Sequence, residues 1–346
     1  MPQPQAKSAD ARFEALQNWF LQQGPHLAAT LNLPRLPQGR WQPAGSDASF
    51  RRYFRWQAEG LQLILMDAPP PGEDCRPFVR MAQMLAVAGL NVPRVLAQDV
   101  QQGFLVLSDL GGQTWLQVLD AANADLLFGR ALDTLVCMQQ IDVAGSNLPE
   151  YDEALLRREL QLFPDWYVQH ELGLTLDARQ QECWQQGSQL LVGAALKQAR
   201  VLVHRDYMPR NLMVSEPDPG VLDFQDAVLG PISYDVISLF KDAFLSWPEE
   251  RVHGWLRQYW TKARTAGLPV PPSFAQFARD CDWMGLQRHL KVIGIFARIC
   301  HRDGKPHYLR DVPRFFAYVR PVLARYPELK PLQQLLDSLH LPENCR

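Results

Sequence analysis

The chain has little that would stitch or anchor it. None of its six cysteines (Cys75, Cys137, Cys183, Cys281, Cys300 and Cys345) forms a C-x-x-C pair or sits with histidine at zinc-ligand spacing. That pattern excludes a zinc ribbon and predicts free, mostly buried thiols in a reducing compartment. No stretch approaches the ~18 apolar residues of a bilayer span. The opening residues, MPQPQAKSADARFEAL, lack the apolar core of a secretory leader. A cytoplasmic protein without a membrane partner is the expectation. Charge of one sign is also lacking: the formal net charge is -2. This argues against a nucleic-acid binder held by bulk phosphate attraction and leaves open a local basic groove. There is no internal repeat and no low-complexity segment. The sharpest absence is lysine, with none between Lys7 and Lys197.

What is present suffices for a two-lobed protein. The 346 residues are 47% hydrophobic and 21% charged, enough apolar material for a sizeable core. Residues 10–22 read as a helix capped by Asp10, with Phe13, Leu16 and Phe20 at helical spacing. Residues 34–45 read as loop. Strand-like runs follow at 49–56 and 61–66, joined across Ala58-Glu59-Gly60, then a helix at 76–88 and strands at 92–97 and 104–107. Gly111-Gly112 marks a change to helical periodicity. Short apolar strands at 201–203 and 212–214 flank a polar loop, and residues 232–346 are mainly helical. The expected fold class is α+β and bilobal: a β-rich N-lobe over 1–109 and a mainly helical C-lobe over 110–346.

The polar loop reads Val203-His204-Arg205-Asp206-Tyr207-Met208-Pro209-Arg210-Asn211, and Asp223-Phe224-Gln225-Asp226 follows a turn-forming EPDPG segment. The spacing H-x-D-x-x-x-x-N with a later Asp-Phe suits phosphoryl transfer. That reaction needs a carboxylate to orient a hydroxyl and accept its proton, and oxygen ligands for Mg²⁺ on a triphosphate. Asp206 fits the first role; Asn211 and Asp223 fit the second, since hard oxygen donors suit Mg²⁺. His204 reads as a packed histidine supporting the loop. Residues 44–55 offer Gly45, Ser46 and Ser49 as a phosphate-covering loop leading into the next strand. Ser108, Asp109 and Leu110 read as a hinge whose backbone groups can meet an adenine edge.

These stretches resemble the aminoglycoside phosphotransferase-like kinases, a branch of the protein-kinase fold. Within them, SDASFRRYFR, MDAPP, HRDYMPRNLM, LDFQDA, GPISYD and QRHLKVIGIFARICHRDGK resemble the bacterial sugar kinases of cell-wall recycling. The similarity runs over most of the chain in the right order. It implies ATP and Mg²⁺ as cofactors and an N-acetylated amino sugar phosphorylated at its anomeric hydroxyl. It also implies Asp206 as base and Asn211 and Asp223 as metal ligands, with no obligate protein partner. Kinases of this fold usually hold the phosphates with a third-strand lysine paired to a helix glutamate. Here the strand ends Ile64-Leu65-Met66 and residues 76–88 contain no acid. Arg51 or Arg52 is the expected replacement, and only one of two adjacent strand residues can face the nucleotide.

On the acceptor side, Arg288, Lys291 and Arg298 share one face of a helix over 281–300, opposite Leu286, Leu290, Ile293 and Cys300. Arg288 and Lys291 are candidates for a positive wall that attracts an acidic sugar, with Arg210 and Asp226 as further candidate acceptor contacts. Such a wall argues against a polycationic antibiotic. No A-P-E segment follows Asp223, which argues against a protein kinase. Two rivals remain open: a kinase for another small hydroxyl compound, and a nucleotide-binding scaffold that has lost its lysine.

Overall fold

The structure is a computed structural model and describes residues 5–46 and 50–345. In chain order, helices α1 (Gln5–Gln22) and α2 (Gly24–Thr30) precede β1 (Arg40–Ser46), β2 (Arg52–Ala58) and β3 (Leu61–Asp67). Helix α3 (Arg76–Val87), β4 (Val95–Asp99) and β5 (Phe104–Ser108) follow. Then come α4 (Ala124–Gln139), α5 (Glu153–Leu160), a π-helix (Phe163–Glu171) and α6 (Ala178–Leu196). Four short strands are next: β6 (Arg200–Val203), β7 (Leu212–Met213), β8 (Gly220–Val221) and β9 (Val228–Pro231). The chain ends in α7 (Tyr234–Phe240), α8 (Glu249–Thr265), α9 (Phe274–Asp303), α10 (Val312–Arg325) and α11 (Lys330–Ser338). Mixed α and β elements, with strands concentrated early and helices late, give the α+β class expected. Among the described residues no helix is long and apolar enough to cross a membrane.

Two compact units form. One takes Met1–Gln113 with Met213–Asp226; the other takes Thr114–Leu212 with Ala227–Arg346. In the first, a five-stranded antiparallel sheet has the order β1-β2-β3-β5-β4. Alternation along the strands sets its faces. Phe54, Trp56, Leu63, Leu65, Phe104 and Val106 pack with Leu16, Trp19 and Phe20 of α1. Odd and even neighbours therefore part company: Arg52 lies on the α1 side, where Arg12 of α1 also reaches Asp67. A second pairing, β7 with β8, carries the segment that returns to this unit.

In the second unit β6 pairs antiparallel with β9, Val203 opposite Val228. Around this pair stand the helices, with the 30-residue α9 threaded among them. Gly294 of α9 meets the turn before the π-helix so closely that a Cβ there would lie 2.3 Å from the Leu162 carbonyl carbon. Only glycine allows that approach.

Three sequence expectations need correction. Helix α1 starts at Gln5, ahead of Asp10, so Asp10 is not its cap. Residues 40–45 are strand rather than loop: β1 pairs with β2 through a bulge between Pro43 and Gly45, with Gly45 at φ 130. A bulge lets Pro and Gly sit in a strand that propensity would reject. Helix α9 is not amphipathic toward solvent, because Arg288 (3% exposed) and Lys291 (8%) are buried with the apolar arc.

Candidate active site

The catalytic-loop candidates belong to the second unit and are held from behind by one buried carboxylate. Asp235, at the start of α7, is fully buried and accepts hydrogen bonds from the His204 N–H (2.6 Å) and the Arg205 N–H (2.9 Å). Two donors on one carboxylate fix the backbone as it leaves β6, and Arg205 takes φ 77 there. A non-glycine residue in that region is strained by about 1–3 kcal/mol and persists only when its surroundings hold it. Burial raises the Asp235 carboxyl to about 6, although His204 and the two N–H groups pull the other way.

The rest of the loop is braced by side chains. His204 is fully buried, its Nδ1 3.3 Å from the Asp206 N–H and its ring edge-on to Tyr207. The Tyr207 hydroxyl donates to the Ala131 carbonyl of α4 at 2.9 Å. The Asn211 side-chain amide donates to the Asp206 carbonyl at 2.9 Å. That bond commits the Asn211 nitrogen inward and turns its side-chain oxygen the other way, as an oxygen ligand requires. Asp206 itself is half-buried, with its backbone pinned on both sides.

Asp223 belongs to the first unit. It takes φ 65, and its Oδ1 accepts from the Gln225 amide at 2.7 Å. Phe224 is fully buried and its ring lies 4.9 Å from that of Phe78 on α3. The segment is tied again where the Val221 N–H donates to the Asn91 carbonyl at 2.8 Å. Asp223 thus rides on an apolar anchor to α3, and Asn211 and Asp223 each offer a hard oxygen donor of the kind Mg²⁺ takes.

An ion pair of a different kind lies just ahead of β2 and α3. Arg51 pairs with Glu73 at 3.0 Å, both side chains about nine-tenths buried. Glu73 also accepts from the Phe50 N–H at 3.1 Å. Sequence reading missed Glu73 because it precedes α3 rather than lying on it. Arg52 is spent on Asp67, which also holds Arg12 on the α1 side of the sheet. Arg51 precedes β2 and pairs with Glu73, whereas Arg52 is engaged by Asp67 on the α1 side. Ser46 ends β1 opposite Arg52, and Ser49 lies outside the described residues.

The hinge candidates divide. Ser108 is a sheet residue: its N–H donates to the Arg94 carbonyl and its Oγ accepts from the Arg94 N–H. Asp109 accepts two bonds from Arg55 (2.5 and 3.1 Å), and Arg55 also donates to the Gly111 carbonyl at 2.7 Å. Arg55 was not foreseen. Leu110 packs on Gly220, where a Cβ would sit 2.9 Å from its Cδ1.

Behind the catalytic loop, Glu159 of α5 gathers three partners. Arg205 lies at 2.5 Å, Lys291 at 2.8 Å, and the Tyr151 hydroxyl donates to its other oxygen. Burial pushes the Glu159 carboxyl up, but Lys291 and Arg205 outweigh it and hold it below the ordinary carboxylate range. Lys291 also donates to the Tyr234 hydroxyl at 3.1 Å. The expected role of Lys291 as an open positive wall is corrected here: its charge is already met inside the protein. Arg210 is exposed, its guanidinium 5.2 Å from the Phe244 ring, and Asp226 is exposed.

Comparison with known proteins follows the same lines. A model of the phosphotransferase enzyme family matches residues 40–272. The N-acetylmuramate/N-acetylglucosamine kinase of Pseudomonas aeruginosa is 61% identical over 332 residues, covering 96% of this chain and 98% of that one. The protein of the same name from Pseudomonas putida is 57% identical, covering 95% and 97%. Among solved structures, the ADP-bound aminoglycoside phosphotransferase APH(2'')-Ib is similar at TM-score 0.51 and 18% identity, covering 84% and 95%. The GDP and kanamycin complex of APH(2'')-IIIa is similar at TM-score 0.58 and 14% identity, covering 87% and 98%. At such identities the structures speak to fold alone.

Proposed function

The chain belongs to the phosphotransferase enzyme family, and from that premise we propose that it transfers the γ-phosphoryl group of ATP to the anomeric hydroxyl of N-acetylmuramate and N-acetylglucosamine. Such a kinase returns cell-wall amino sugars to use as sugar 1-phosphates. The observation that carries the mechanism is the bracing of residues 204–211: Asp235 holds the backbone before Asp206, and Asn211 holds the backbone at it.

Asp206 accepts the proton of the sugar's C1 hydroxyl as its oxygen attacks the γ-phosphorus. The bond from that phosphorus to the β–γ bridging oxygen breaks, and ADP leaves. Asp206 needs to move little, since its loop is fixed in advance, and such preorganisation is where phosphoryl-transfer enzymes gain rate. Asn211 and Asp223 would hold Mg²⁺, which supplies charge neutralisation on the phosphate oxygens. Arg51, oriented by Glu73, is the guanidinium for the phosphates, two hydrogen bonds at a time. The backbone of Leu110 and the end of β1 at Gly45–Ser46 are the remaining nucleotide contacts.

The deciding experiment is turnover of ATP with either sugar, the phosphorylated carbon read by phosphorus NMR. Asp206→Asn should lower kcat by roughly 10²–10⁴-fold, the usual worth of a general base, with ATP affinity retained. Arg51→Met should raise the KM for ATP and lower kcat. Absence of turnover with any amino sugar, or full activity in Asp206→Asn, would overturn the reading.

A further inference from the structure

We propose that Arg288 and Arg314 form a subsite for the carboxylate of N-acetylmuramate, and that this subsite sets the preference for the acidic over the neutral sugar. The inference rests on the amino-sugar kinase reading above and adds the group that discriminates between its two substrates.

The carrying observation is an anomaly of burial. Arg288 is 3% exposed, yet it makes no hydrogen bond or ion pair among the described residues. Its guanidinium carbon lies 5.8 Å from the centroid of the Tyr234 ring. Its Nε is buried without an acceptor, and leaving such a donor unmet is expensive. Proteins tolerate such a group where a ligand supplies the acceptors. Arg314 repeats the pattern: one nitrogen donates to Ser246 Oγ at 2.5 Å, while its Nε is buried without a partner.

Asp242 lies close enough to feel both guanidiniums but forms an ion pair with neither. It is 1% exposed, its Oδ1 accepts from the Phe244 and Leu245 N–H groups at 2.8 and 2.7 Å, and its Oδ2 has no partner. The other charged groups nearby are settled. Lys241 pairs with Glu249 at 3.2 Å, and burial keeps His289 neutral, helped by Lys241 and Arg288. Two guanidiniums facing one carboxylate leave an uncompensated positive charge, and a monoanionic ligand completes it.

The cluster is tied to the catalytic loop from both ends. Arg210, inside the loop, lies over Phe244, whose N–H Asp242 holds. Tyr234 receives Arg288 on its ring and Lys291 on its hydroxyl, and Lys291 meets Arg205 on Glu159. This circuit of contacts begins and ends beside Asp206. N-acetylmuramate differs from N-acetylglucosamine by a lactyl ether that ends in a carboxylate, and a planar guanidinium is the natural partner for it. A polycationic acceptor would be repelled.

The test is a cycle of protein and ligand changes. Wild type and Arg288→Met are compared on N-acetylmuramate, its methyl ester and N-acetylglucosamine, by kcat/KM and by calorimetric binding of the sugars. Esterification should cost the wild type on the order of ten- to a hundredfold, the worth of one charge-assisted bond. It should cost Arg288→Met almost nothing. N-acetylglucosamine should be used equally by both, and Arg288→Lys should recover part of the preference. Thermal stability should not fall in Arg288→Met, because an uncompensated buried charge is removed. Equal losses on both sugars, or a wild type indifferent to esterification, would overturn the subsite. If the wild type turned over neither sugar, the kinase reading would fail instead, and calorimetry would still decide whether Arg288 recognises the carboxylate.

Discussion

Replacing Asp235 with asparagine should separate stability from activity in opposite directions. The carboxyl titrates at about 6 in the folded protein against an ordinary value of 3.8. Two pKa units are worth about 3 kcal/mol. The sign follows from proton binding. Because the folded value is the higher one, the folded chain holds the extra proton between 3.8 and about 6. That contribution to stability is fully present below the unfolded value and is lost as pH rises through about 6. Asparagine resembles the protonated acid and does not titrate. Relative to the wild type, the variant should therefore gain about 3 kcal/mol between pH 4 and pH 7, offset at both values by the one backbone N–H it leaves unmet. Catalysis should suffer, since a neutral side chain accepts from only one of the two N–H groups at His204 and Arg205. Loss of one bond to a charged acceptor predicts a kcat lower by about ten- to a hundredfold. Urea unfolding at both pH values, with steady-state kinetics near pH 8, measures both. A variant less stable than wild type at pH 7 with an unchanged pH dependence would refute the reasoning, as would undiminished kcat.

Two further substitutions probe the scaffold around the loop. Lys291→Met leaves Glu159 buried with one cation fewer, and breaking such a pair costs about 3–5 kcal/mol; the fall in Tm should come with equal losses on acidic and neutral sugars. A loss confined to N-acetylmuramate at unchanged Tm would show that Lys291 is not the brace described. Gly294→Ala should push α9 off the Leu162 backbone and destabilise by about 1–3 kcal/mol or more, the usual cost of overpacking, and an unchanged unfolding curve would contradict that contact.

Much of the fold was legible because alternation and helical spacing are strong in β2, β3, β5 and α3. The reaction was legible because Asp206, Asn211 and Asp223 sit at spacings that few other chemistries need. What escaped was written in weaker signals. β1 carries Pro43 and Gly45, which strand propensity rejects and a bulge accommodates. Glu73 was overlooked because a pairing partner was sought on α3, whereas the ion pair forms through the chain just before it. The burial of Arg288 and Lys291 escaped, since helical spacing reports which residues share a face but not what covers that face. Asp235 carries no signature as a loop anchor; its role depends on backbone groups thirty residues upstream.

The first compact unit is not finished by its own first stretch of chain. Asn91 waits for the Val221 N–H and for Ser215, Gln113 receives the Val214 N–H, and Phe78 waits for Phe224. All of these partners leave the ribosome about a hundred residues later than the strands they complete. A chain stopped after Gln113 would expose the apolar underside of α3 and unmet backbone groups at Asn91. This unit therefore cannot be produced as a separate fragment by a single cut, and during synthesis it stays incomplete until the segment at 213–226 has been made.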